Sequence, residues 1–75
     1  MKTEREHDVV RVIWLDGERS FTGTPGVARR PEVGDVGAIV HVYSERTFMV
    51  ECVDSDGMTV WIADFHLGEL ENVRT

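Results

Sequence analysis

One cysteine and three histidines are the side chains of this 75-residue chain best suited to chemistry: Cys52, His7, His41 and His66. A Cys52–His66 nucleophile pair would need an electropositive setting to lower the thiol pKa and a base within hydrogen-bond reach. Nothing near Cys52 in the sequence supplies the first. Cys52 also falls in strand phase with Phe48 and Val50, which reads as a buried thiol acting as a small hydrophobe. Zinc ligation by the four residues lacks the short pair spacing of structural zinc sites. Asp54-Ser55-Asp56-Gly57 places two carboxylates two apart before a glycine, as calcium loops do. With Gly57 at the sharp-turn position, however, Cys52 would be the first ligand and a hydrophobic residue would stand where a bidentate Glu belongs. A hairpin turn with glycine at positive φ is the better reading. Gly34 and Gly37 precede a strand rather than a helix, which excludes a phosphate cradle. No metal and no cofactor is expected, and the chain reads as a non-enzyme. The alternative is a small-molecule binder or small enzyme using Glu51, His41 or His66 around a barrel-mouth cleft.

The elements that would position these residues are short and β-prone. Asp8 to Leu15 is rich in Val, Ile and Trp and closes on Asp16-Gly17, which predicts a first strand. Residues 16–35 turn to Gly, Pro, Ser, Thr and Arg and predict a long loop, read first as a mobile surface loop and otherwise as folded over the barrel mouth or given over to contacts, with Phe21 and Val27 as anchors and Phe21, Arg29 and Arg30 as candidate contacts. The glycine-flanked bend at Gly34-Asp35-Val36-Gly37 then feeds a strand over Val36–Tyr43. Ser44 to Thr47 connects it to Phe48–Val53, and Asp54 to Gly57 turns the chain into Met58–Ala63. A tight helical turn over Asp64–Leu70 and a closing strand over Glu71–Arg74 complete the pattern. Five short strands with one long loop and one helical turn predict an all-β fold, a small SH3-like barrel forming a single domain over 1–75. Residues 1–6 read as a frayed terminus.

Asp8-Val9-Val10, the run Gly34-Asp35-Val36-Gly37-Ala38-Ile39-Val40-His41-Val42-Tyr43, the segment Phe48 to Asp54 with Gly57, and Leu70 carry a resemblance. They resemble a family of short uncharacterised bacterial proteins patterned GDVGTVV…Y…VEFVD…DG…L. More distantly, the chain is similar to the SH3-like domain of the nitrile hydratase β subunit. Here Ala38 stands where Thr is common and Cys52 where Phe is common, and the first loop is longer. The resemblance implies an SH3-like barrel and brings no catalytic residues.

Composition bounds the partners. A net charge of −6 with scattered basic residues argues against a nucleic-acid backbone. The single cysteine, with no signal-peptide or bilayer-spanning apolar run, leads to the expectation of a soluble cytoplasmic protein without a membrane partner. A chain this short buries only about 60% of its unfolded surface, so self-association would add stability. Placing Ala38, Val40 and Val42 inward with Val50, Cys52, Val60 and Ile62 turns Ile39, Tyr43, Met49, Val53 and Trp61 outward. That set is large and mostly apolar, ringed by Arg11, His41 and Glu51. It predicts an interface of a homodimer or higher homo-oligomer, in a protein-interaction or accessory module that also engages a protein encoded nearby. The competing expectation is that the long loop or the N-terminal segment covers this face within one chain.

Overall fold

The computed structural model describes residues 7–73. The lead-in 1–6, expected to fray, lies outside the described residues. Six strands form one antiparallel sheet: β1 Val9–Val12, β2 Phe21–Thr22, β3 Val36–Val42, β4 Thr47–Val53, β5 Thr59–His66 and β6 Leu70–Asn72. Their order across the sheet is β2-β5-β4-β3-β1-β6, and a 3-10 turn at Leu67–Glu69 leads into β6. The fold is all-β, a small barrel-like sheet wrapped on one core. The five predicted strands are present, the closing one at Leu70–Asn72 with Arg74 of its expected span outside the described residues. The helical turn expected over Asp64–Leu70 is confined to Leu67–Glu69, because Asp64–His66 stay paired with β4 as part of β5. The sixth strand, β2, lies inside the stretch read as loop and pairs with Ala63 and Ile62 of β5.

Local chemistry explains the turns. At the β4–β5 hairpin the Asp54 carboxylate accepts from the amides of Asp56 and Met58, and Gly57 takes φ +83°. At the entry to β3, Gly34 adopts φ +101°, while Gly37 is required for a different reason: a Cβ there would lie 2.5 Å from the Glu51 carbonyl oxygen. β3 and β4 can therefore approach closely only at a residue without a side chain.

Antiparallel partners opposite one another share a face, and that rule corrects the expected strand phase. Ile39 is opposite Val50, and Trp61 is opposite Cys52. Val50 and Cys52 point inward as expected, so Ile39 and Trp61 do too, and both are fully buried. They are core residues, not interface residues. The cause is two register shifts, one at Val40 between Ile39 and His41 on β3 and one at Val60 between Thr59 and Trp61 on β5. Each inserts one residue, and one extra residue inverts the alternation beyond it. Val40 is consequently exposed, Ile62 turns to the outer side, and Val60 and Trp61 are buried in succession. Val10, Val12, Phe48, Ala63, Phe65 and Leu70 complete the core. β1 stops at Val12, short of the predicted Leu15, and leaves Ile13 and Trp14 about half exposed.

Candidate functional site

Two carboxylate–arginine clusters hold the 16–35 stretch against the sheet and decide which surface stays open. In the first, Glu69 is fully buried at the 3-10 turn. Its carboxylate receives both guanidinium nitrogens of Arg19, at 2.8 Å from Nη1 to Oε1 and by a closer contact from Nη2 to Oε2. The amides of Asp16 (2.6 Å) and His66 (3.1 Å) also donate to it. The Arg19 guanidinium lies over the Phe65 ring, 4.6 Å from its centroid. Burial by itself would raise the Glu69 pKa, but Arg19 and the two amides outweigh it and bring the carboxyl down to about 2.

In the second cluster, Asp35 accepts from Arg29 Nη1 and Nη2 (2.9 and 3.0 Å), from the Trp61 indole (2.9 Å) and from the Glu32 amide (2.9 Å). Burial opposes ionisation there too, yet these donors hold the carboxyl below its usual range. Between the clusters, Thr24 and Arg29 donate their amides to the Thr59 and Val60 carbonyls at the free edge of β5. The loop is thus tied down by hydrogen bonds along its length. Asp35 could be suspected from sequence, since an Asp at a turn bonds nearby amides. Nothing in local spacing announces that Arg19 and Glu69, fifty residues apart, belong together.

Because the loop docks there, the outer face of the sheet is left uncovered among the described residues; the N-terminal segment, the other cover expected, lies outside them. Register places Val9, Ala38, Glu51, Ile62 and Thr22 in one row across five strands. Arg11 and Val36, paired with each other, extend it on one side, and Val53 follows Glu51 on the same face of β4. His41, Met49 and Asp64 form the row on the other side. Val9, Val36 and Val53 are 42, 43 and 51% exposed, so this apolar surface is accessible to a partner. Met49 and Val53 lie on this face as expected. Tyr43 is exposed beside it, its phenol donating to Asp64 at 2.9 Å and its ring edge-on to His41. A shallow groove of about 200 Å3 borders the face, lined by Ser20, Phe21, Thr22, Met49, Ile62 and Asp64. Of the loop contacts, Phe21 is in β2 and partly exposed, Arg29 is committed to Asp35, and Arg30 is open to solvent.

The polar residues considered for chemistry are dispersed among separate partners. Glu51 accepts from the Thr59 hydroxyl at 2.6 Å, and His66 Nε2 lies 3.2 Å from Asp16. Cys52 is buried, and burial pushes its thiol up, with Asp35 adding to the shift. Cys52 is opposite Trp61 whereas His66 is opposite Thr47, five positions along β4, so the two are roughly 17 Å apart along the strand. They cannot form a nucleophile pair. Among the described residues no group of three His, Cys, Asp or Glu side chains is placed to hold a metal ion, and no helix is long and apolar enough to cross a membrane.

A family model described as a domain of unknown function (DUF4926) matches residues 29–71. That span runs from Arg29 of the Asp35 cluster through the β3–β5 sheet to Glu71 of β6. No curated protein and no solved structure matches the chain.

Proposed function

This chain belongs to the DUF4926 family, and we propose that it is a non-enzymatic interaction module that self-associates through the outer face of its sheet. The observation that carries the reading is the uncovered row of Val9, Ala38 and Ile62 with Val36, Met49 and Val53 around it. An antiparallel sheet facing water on one side reads polar at such positions. The 16–35 stretch, the ordinary intramolecular cover, is bonded to the Glu69 and Asp35 clusters and the β5 edge instead. The rim suits a second copy because it carries both signs. Arg11 stands on the β1 side of this face and Glu51 and Asp64 on the β4 and β5 side, so a two-fold pairing can set the Arg11 side of one copy against the acidic side of its mate.

Light scattering coupled to size-exclusion chromatography tests this. A dimeric mass in the micromolar range is expected, reduced to a monomer by Val53→Glu or Ile62→Glu. Val33→Glu, at a 60% exposed loop position away from the face, is expected to leave it dimeric. A monomeric mass across that range sinks the self-association.

A further inference from the structure

A second concavity lies where the end of β1, β2 and the loop meet. It is a cleft of about 220 Å3 lined by Leu15, Gly17, Glu18, Arg19, Phe21, Arg30 and Pro31. We propose that it is a binding site for a residue-sized apolar group carrying a carboxylate, such as an aromatic N-acyl amino acid or the carboxy-terminal residue of a peptide. The volume falls below the roughly 300–1,000 Å3 of pockets for drug-sized ligands, so a single side chain is the unit that fits. Leu15, Phe21 and Pro31 supply apolar walls.

The charge preference follows from how the two arginines are occupied. Arg19 spends Nη1 on Glu69 and the Asp64 carbonyl, and Nη2 on Glu69 and the Gly17 carbonyl. With its charge matched by Glu69, Arg19 forms a neutralised floor. Arg30 is different. Its side chain is 73% exposed, and among the described residues its one carboxylate contact is Glu18 at 3.9 Å, beyond direct hydrogen-bond length, on a side chain that is itself 92% exposed. A ligand carboxylate entering over the apolar walls would exchange that long pair for a charge-assisted hydrogen bond. A cation would find the lining carboxylate, Glu18, already facing Arg30. Phe21 excepted, the lining residues are separate from the outer sheet face, so this site stands or falls independently of self-association.

The test is a titration of the isotope-labelled full chain followed by amide resonances. The probes are N-acetyl-phenylalanine, its neutral amide, acetate, and a pentapeptide ending in Phe with a free carboxylate. N-acetyl-phenylalanine is expected to shift Leu15, Gly17 and Phe21 saturably in the millimolar range, about ten-fold more tightly than the amide. Acetate, lacking the apolar body, is expected to give no saturable shift. Arg30→Gln should abolish the ten-fold preference with native peak dispersion retained, whereas Arg46→Gln in the β3–β4 turn should preserve it. Tighter binding of the peptide than of N-acetyl-phenylalanine identifies a protein terminus as the source, and the reverse order identifies a free metabolite. Equal affinity for acid and amide, no saturable shift, or shifts mapping to Val9, Ala38 and Ile62 would overturn the proposal.

Discussion

The Arg19–Glu69 pair is the contact whose removal says most about how this chain holds together. Replacing Arg19 by Met keeps an unbranched apolar side chain but removes the guanidinium over Phe65 and leaves the fully buried Glu69 carboxylate with the Asp16 and His66 amides as donors. Breaking a buried pair from one side costs about 3–5 kcal/mol, because an uncompensated charge remains. For a chain of this length total stability is roughly 4–11 kcal/mol, so the variant should sit near the edge of folding. The pH dependence reports on the same cluster, with its amide donors and burial included. Glu69 falls from an ordinary 4.5 to about 2 in the fold, which at about 1.36 kcal/mol per unit corresponds to about 3 kcal/mol. Because the folded pKa is the lower one, this stabilisation is fully present above pH 4.5 and is lost as pH falls toward 2. Urea unfolding at pH 7 and across that acid window is the assay. Wild type should lose stability between pH 4.5 and 2, Glu69→Gln should lack that component, and Arg19→Met should be several kcal/mol weaker at pH 7. The double variant Arg19→Met/Glu69→Leu should cost less than the sum of its single changes, since no charge is left stranded. Single-variant costs under about 1 kcal/mol, with an acid profile unchanged in Glu69→Gln, would refute the reasoning, because that is the range of an exposed pair.

Four further outcomes are expected. Gly37→Ala should destabilise by roughly 2 kcal/mol on the scale of overpacked sites, read by thermal melting, because the new Cβ meets the Glu51 carbonyl on backbone that cannot yield. Gly57→Val, at φ +83°, should lower the melting temperature more than Ser55→Ala. Cys52 should react with a disulfide reagent only after unfolding, since the thiol is buried and its pKa raised; rapid labelling of native protein would contradict its place in the core. Finally, the dimer fraction should rise with salt, because screening weakens the repulsion between two chains of charge −6 more than it weakens apolar contact. A fall with salt would mean that the rim charges, not the apolar row, hold the assembly.

Much of the architecture is legible in the residues themselves. Short Val- and Ile-rich runs separated by glycine and aspartate turns demand an all-β chain, and alternation along β4 correctly puts Phe48, Val50 and Cys52 inside and Met49, Glu51 and Val53 outside. The Gly57 turn follows from the same local rules. What tertiary structure decided is of two kinds. Alternation has a period of two, so one inserted residue reverses every side chain beyond it, and such insertions are visible only against a paired strand. Ile39 and Trp61 passed into the core, and Ile62 out of it, for that reason. The second kind is contact across long sequence separation. Arg19 with Glu69, and Arg29 and Trp61 with Asp35, look like ordinary surface charges and a strand aromatic until the sheet brings them together. Once it does, the desolvated carboxylates need those donors, and the long stretch is bound where they lie and not over the outer face.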